Sequence, residues 1–258
     1  MIPIKTPEQI EFMRRSGQLA REILDKVSSK AAPGVTTGEI DDYCAELIKE
    51  AGAISAFLGY RGFPGHLCVS VNEEVVHGIG GKKKLAYGDV VKLDVGVFLD
   101  GWVGDNATTV AVGAISPEVE RLLQITEESL YRGIDFARPG RKLGDVCSAI
   151  QKHVEKNGYT IVREFVGHGV GRSLHEEPQV PNYGKRGSGP KLKPGMTLAI
   201  EPMVNMGRSS VKILSDGWTV ITSDKKPSAH YEHSVLVTDS DPEILTVSQE
   251  ELSRKVKT

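Results

Sequence analysis

Cysteine is scarce in this chain, with three in 258 residues. Cys44, Cys68 and Cys147 are odd in number, far apart and without a CxxC spacing. They give no disulfide framework and fit a reducing compartment. A dominant charge sign is also missing: 32 basic and 34 acidic residues leave a formal net charge of −2. No global field therefore favours nucleic acid or a membrane surface. No apolar run is long enough to span a bilayer. The start, Met1-Ile2-Pro3-Ile4-Lys5-Thr6-Pro7, lacks the apolar core and cleavage site of a secretion signal, so the expected setting is the cytoplasm. No GxSxG is present, which excludes a serine-hydrolase elbow. Gly167-His168-Gly169-Val170-Gly171 has the wrong spacing for a phosphate loop.

What is present is ordinary globular composition, 39% hydrophobic and 26% charged, enough for one large domain with a core over residues 1–258. Within it lies a faint repeat. Pro33-Gly34-Val35-Thr36-Thr37-Gly38 returns as Pro139-Gly140-Arg141-Lys142-Leu143-Gly144, at an offset of 106 residues that holds through Gly52 and Gly158. Ile40, Tyr43, Cys44, Leu47 and Ile48 mark a helical apolar face, matched in phase by Val146, Ala149, Ile150, His153 and Val154. Helices opening at Thr6-Pro7 and Ser116-Pro117 precede both copies. Strands are expected over 66–76, 90–112, 160–166, 196–206, 211–222 and 229–238, with a surface loop from Pro181 to Pro194. The expected fold class is α+β, with pseudo-symmetric halves at 1–112 and 113–250 sharing a sheet-lined cleft.

Five residues in strand-like or glycine-rich segments stand out: Asp94, Asp105, His168, Glu201 and Glu232. Carboxylates in apolar runs are costly to bury unless something pairs with their charge, and a metal ion would do so. Leu99-Asp100-Gly101-Trp102 signals a type I′ hairpin turn. With Asp100 and Gly101 as the loop, Gly96 faces Asp105 and Asp94 faces Ala107. Asp94 and Asp105 then share a face as diagonal neighbours, about 7 Å apart at Cβ, which suits two ions about 3.5–4 Å apart. The alternative is a solvent-facing pair, since Lys92 continues the face of Asp94. Glu201 takes nearly the position of Asp94 in the repeat, at an offset of 107. His168 sits between glycines that would let the backbone approach a ligand. An imidazole among carboxylates suits Mn, Fe, Co or Zn better than Mg or Ca, and without cysteine it is no structural zinc site. Paired ions of this kind imply metal-assisted hydrolysis. His77 and His175 sit near turns beside these segments, and either alone is more often structural. His153 reads as a core-edge residue, and Lys82-Lys83-Lys84 as a solvated turn, with contact to ribosomal RNA the minority reading.

These segments resemble type I methionine aminopeptidase over essentially the whole chain. The resemblance rests on Asn72-Glu73-Glu74-Val75-Val76-His77-Gly78, Lys92-Leu93-Asp94-Val95, Asp100-Gly101-Trp102-Val103-Gly104-Asp105, Gly167-His168-Gly169-Val170-Gly171 followed by His175-Glu176-Glu177-Pro178, Ile200-Glu201-Pro202 and Tyr231-Glu232-His233. It implies the pita-bread fold and, with no insertion between His168 and Glu201 and no N-terminal extension, the short bacterial-type form. It implies two divalent ions on the five residues, bridged by Asp105 and Glu232, with Glu201 as proton shuttle. His175 would steady the substrate carbonyl and oxyanion, and His77 would contact the scissile amide nitrogen. The methionine side chain would enter a pocket of Tyr60, Phe63, Cys68, His77, Leu174 and Trp218, with Phe57 at its edge. Relatives often carry Phe where Leu174 stands and a small residue where Phe57 stands. A structural Na or K ion near Asn72, Glu74 and Ser228 is implied too. So are nascent polypeptide N-termini as substrates, transient ribosome contact, a monomeric state, and no membrane or specific nucleic-acid partner. The nearest rival, a prolidase or aminopeptidase P, would carry a further N-terminal domain. A non-catalytic binder would have lost ligands, and a phosphatase would favour basic groups around the cleft.

Overall fold

The computed structural model describes residues 1–248, and its four helices begin where the sequence offers caps. Helix α1 (Pro7–Ser28) opens with a reciprocal box: Thr6 Oγ1 accepts from Gln9 N, and the Gln9 side chain accepts from Thr6 N. Thr36 and Glu39 close the same box at α2 (Thr37–Glu50). Ser116 caps α3 (Pro117–Ile134), and at α4 (Leu143–Lys156) the Asp145 carboxylate accepts from Lys142 N. At 14 residues each, α2 and α4 are marginal helices alone, so packing stabilises them. Ile40, Cys44, Leu47 and Ile48 are buried against the first half's strands, and Val146, Ile150 and Val154 against the second half's. Each such Leu or Ile contributes about 1.5–3 kcal/mol. Ala149 and His153 are half-buried, and His153 Nε2 pairs with Glu128 at 2.9 Å on the core's edge.

The strands are β1 (Ile54–Ser55), β2 (Cys68–Val71), β3 (Glu74–Val76), β4 (Val90–Leu99), β5 (Trp102–Ala111), β6 (Thr160–Ile161), β7 (Gly167–Gly169), β8 (Glu176–Val180), β9 (Thr197–Ile200), β10 (Met203–Asn205), β11 (Val211–Ile213), β12 (Val220–Thr222), β13 (Ser228–His230), β14 (His233–Leu236) and β15 (Glu243–Ile244). All their pairings are antiparallel. Strand β4 carries β5 on one edge and β1 and β2 on the other; the remaining sheets run β13-β10-β6, β11-β12-β3 and β15-β14-β9-β7-β8. The β12–β3 pairing joins the halves directly.

The β4–β5 register is Gly96↔Asp105, Asp94↔Ala107 and Leu99↔Trp102. Asp100 (φ 51°) and Gly101 (φ 76°) form its two-residue loop. The positive φ at both is what a type I′ turn requires. Lys92 is 1% exposed, which goes against the solvent-facing alternative for this face.

Several expected strands are broken. Residues 66–76 fold back at Asn72-Glu73, with Asn72 at φ 54°. Of 160–166, only Thr160–Ile161 pairs. The 211–222 stretch is a hairpin. Strands β9 and β10 are interrupted at Glu201-Pro202, and β13 and β14 at Tyr231-Glu232. These breaks face one another between the pairs Ile200↔His233 and Met203↔His230, where Pro202 has no N–H to donate. Strand β8 was unforeseen. The 181–194 loop is not wholly superficial, since Asn182 and Leu192 are buried. The expected end of the second half, residue 250, lies outside the described residues.

The halves share a backbone hydrogen-bond pattern. Gly34 N donates to Leu85 O, Leu85 N to Val35 O, Thr37 N to Lys83 O and Gly38 N to Gly81 O. Their counterparts are Gly140 to Leu192, Leu192 to Arg141, Leu143 to Pro190 and Gly144 to Ser188. Among the described residues no helix is long and apolar enough to cross a membrane.

Candidate metal centre

Asp94 and Asp105 project from the β4–β5 hairpin on the face toward the second half. Two bonds fasten β5 there: Ser234 Oγ donates to Asp105 O at 2.8 Å, and Glu232 N to Ala107 O at 2.9 Å. Glu201 and Glu232 sit at the facing strand breaks, where the irregular backbone turns both carboxylates inward. His168 is central in β7. A Cβ on Gly167 would lie 2.3 Å from Ala199 O, and one on Gly169 2.2 Å from Glu177 O. These glycines let β7 fit between β9 and β8, rather than let the backbone approach a ligand as the sequence suggested.

All five residues line one cavity of about 300 Å³. His168 Nε2 lies 3.6 Å from Asp105 Oδ2 and 3.5 Å from Glu201 Oε1. Asp105, His168 and Glu232 each offer one ligand atom, all within 4.8 Å of one another. His168 Nδ1 is 2.9 Å from Gly169 O. A carbonyl only accepts, so Nδ1 carries the proton and Nε2 presents its lone pair to the carboxylates.

The electrostatics show what is missing. Burial pushes the Asp94 carboxyl up to about 7 and Glu201 to about 8. Burial, then repulsion from neighbouring carboxylates, raises Asp105 and Glu232 well above the usual range. His168 is driven down to about 3, by burial and then by His175. Asp94 Oδ1, Asp105 Oδ1 and Glu232 Oε1 are buried with no hydrogen-bond partner, each normally a cost of about 1–3 kcal/mol. Divalent cations would relieve both the crowded charge and the orphaned oxygens. The set of four carboxylates, one imidazole and no thiolate fits Mn, Fe, Co or Zn.

The expected pocket residues Tyr60, Phe63, Cys68, His77, Leu174 and Trp218 line the same cavity. Phe57 lines it too, rather than marking its edge; its ring meets Phe63 edge-on at 6.5 Å. Trp218 packs edge-on to Phe63 at 5.2 Å, and His77 (φ 60°) edge-on to Phe165 at 5.4 Å. His175 stands exposed at the rim, stacked on Tyr60 at 5.3 Å and 4.1 Å from the His168 ring. Burial takes His77 down to about 4 and lowers His175 as well, so both are neutral near pH 7. His153 and the exposed Lys82, Lys83 and Lys84 lie outside this cavity.

The sequence reading missed Arg61, Glu164, Phe165 and Met203, which also line the cavity, and His230. That histidine is 1% exposed, and its Nε2 is 3.4 Å from Glu201 Oε2. Its place two residues before Glu232 was the available signal.

The sequence profile described as metallopeptidase family M24 matches residues 11–239. A methionine aminopeptidase of Clostridium perfringens is 50% identical over 96% of this chain and 99% of its own length. Methionine aminopeptidase 1 of Bacillus subtilis is 49% identical over 95% of this chain and 99% of its own. Among solved structures, methionine aminopeptidase from Rickettsia prowazekii superposes with a TM-score of 0.94 at 44% identity, covering 96% of this chain and all (100%) of that one. The prolidase of Pyrococcus horikoshii shares the fold at a TM-score of 0.77 and 22% identity, and this chain covers 64% of it.

Proposed function

The chain belongs to metallopeptidase family M24, among its methionine aminopeptidases, and from that membership we propose that it hydrolyses the N-terminal methionine from polypeptides whose second residue is small. Its fold is the pita-bread fold of those relatives, an α+β architecture of two pseudo-symmetric halves. The observation that carries the reading is the convergence of Asp94, Asp105, His168, Glu201 and Glu232 on one cavity, with three buried carboxylate oxygens lacking partners.

The family implies divalent metal. We take the number to be two, because four carboxylates exceed what one ion needs for charge balance. Asp94, Asp105, His168, Glu201 and Glu232 would hold them. When bound, such ions polarise the substrate carbonyl and make water a competent nucleophile near neutral pH.

The chain's own groups do the rest. Glu201 accepts the proton of the attacking water at a carboxylate oxygen and returns it to the leaving amine. His175 donates an N–H to the oxyanion from the rim, and the Tyr60 stack fixes its ring plane. His77 holds the scissile amide nitrogen. Both imidazoles are neutral, so they donate without adding positive charge beside the ions. The methionine side chain lies in the aromatic slot, where Cys68 and the rings suit a polarizable thioether. Such a slot discriminates against shorter apolar side chains by only about 1–3 kcal/mol, so norleucine-like termini are accepted.

We read the matched hydrogen-bond pattern of the halves as the trace of a duplication within a single catalytic domain. The shift from an offset of 106 at Gly34/Gly140 to 107 at Leu85/Leu192 makes Glu201 the counterpart of Asp94. Three buried, unpaired cysteines suit a cytoplasmic setting.

The test strips the protein of metal and supplies Met-Ala and Ala-Pro peptides with Mn, Fe, Co or Zn restored in turn. Methionine release from Met-Ala alone is expected, lost in Asp105→Ala and Glu232→Ala. Cleavage of Ala-Pro, or full activity in either variant, would falsify the assignment.

A further inference from the structure

The turn between β2 and β3 is where a structural monovalent cation was expected, near Asn72, Glu74 and Ser228. The groups present there do not fit one. Asn72 O accepts from Lys92 Nζ at 2.7 Å and from Ser228 N at 3.1 Å. A carbonyl oxygen has two lone pairs, and both are used. Ser228 Oγ points its single hydroxyl proton toward Val204 O at 3.0 Å and Asn205 Oδ1 at 2.9 Å, facing the second half's strands. The Glu74 carboxylate accepts from Val71 N at 2.6 Å and Lys83 Nζ at 2.7 Å. The Asn72 carbonyl and the Glu74 carboxylate already serve donors of the chain itself, and a second cation would meet the charge of a lysine that is 1% exposed.

We infer that the Lys92 ammonium is itself the cation of this site, tethered to β4 and pinning the Asn72 turn, so that the protein holds no sodium or potassium there. An ammonium supplies a unit charge and N–H donors to the same carbonyl that an alkali ion would seek. The side chain of Asn72 completes the clasp: Nδ2 donates to Asp89 at 2.8 Å, and Oδ1 accepts from Val90 N at 3.0 Å. The turn is thus tied to β4 by backbone, amide and ammonium together. Through Ser228 N the same carbonyl reaches β13, two residues before His230. The carboxylates of Asp89, on the Asn72 amide, and of Glu74, on Val71 N, stand around the same turn. The inference goes beyond the peptidase reading, since it concerns which ions the fold takes up, whatever the cavity cleaves.

The test is made in mildly acidic buffer, where the amine is protonated. The full chain, Lys92→Met and Lys92→Ala are melted in choline, sodium and potassium chloride of equal ionic strength, at one fixed divalent-ion concentration. Wild type is expected to melt at the same temperature in all three salts. The variants are expected to melt lower in choline chloride, by about 4 °C or more, and to recover in sodium or potassium chloride as the ion fills the vacated place. An alkali-ion gain in wild type overturns the inference. So does a variant as stable as wild type in choline chloride, or one that neither ion lifts. If the variants do not fold, sodium-23 line widths of wild type decide: no protein-dependent broadening is expected, and saturable broadening relieved by potassium overturns the inference.

Discussion

Gly96 is the position at which a single methyl group should reach the substrate pocket. It lies in β4 opposite Asp105. A Cβ built there falls 2.4 Å from Phe57 Cε1, 2.9 Å from Cζ and 3.0 Å from Cδ1. Carbon atoms pack at about 3.5–4.0 Å, so in Gly96→Ala the ring must retreat by about 1 Å. Phe57 is 8% exposed and braced edge-on by Phe63, which leaves the cavity as the open direction. Overpacking of this kind costs about 1–3 kcal/mol, read as a lower urea midpoint with unchanged m. The displaced ring also narrows the slot, and KM for Met-Ala peptides should rise about tenfold, the effect of roughly 1.4 kcal/mol, with a smaller change in kcat. Phe57→Leu in the same background relieves the clash, so the stability effects couple by about 1–3 kcal/mol in a double-mutant cycle. Additive stability effects together with an unchanged KM would refute the wedge of Phe57 between Gly96 and the pocket.

Three further outcomes follow from the same geometry. In the ion-free protein Asp94 and Glu201 titrate at about 7 and about 8, so below those values they hold protons that an incoming divalent ion must displace. Ion affinity therefore rises with pH through this window and falls as the carboxyls protonate; calorimetry in buffers of different ionisation heat measures the released protons, and a pH-independent affinity contradicts the account. His175→Ala should lower kcat more than it raises KM, because the rim imidazole acts on the transition state; steady-state kinetics showing a change in KM alone removes that role. Gly101→Val places a β-branched residue at φ 76° and should cost about 1–2 kcal/mol in urea unfolding, whereas a variant of wild-type stability argues against the type I′ loop.

Legibility in the sequence followed the range of the forces involved. The caps at Thr6 and Ser116 are local, and so is the Asp100-Gly101 loop that sets the register of Asp94 and Asp105. Such features are written within a few residues. The breaks at Glu201-Pro202 and Tyr231-Glu232 were hidden because each flank reads as strand, and only their pairing shows that both ladders open at one place. Strand β8 was masked by Glu176-Glu177-Pro178, although Pro178 and Val180 alternate inward with exposed neighbours. The partner of Lys92 was not legible, because the carbonyl that receives it comes from a turn 20 residues away. His230 carries no pattern of its own. Its partner Glu201 is distant in sequence, so only tertiary structure shows the contact.

The division of the ligands between the halves has a consequence for the chain's own birth. Synthesis delivers Asp94 and Asp105 first, on a hairpin that can form as soon as it emerges. The candidate imidazole ligand, His168, follows only with β7, and the last carboxylate, Glu232, comes after the other four residues. A nascent chain that stops short of Glu232 therefore carries no complete set of the five residues. A copy truncated before Glu232 lacks the one carboxylate of the five that the last strand break supplies.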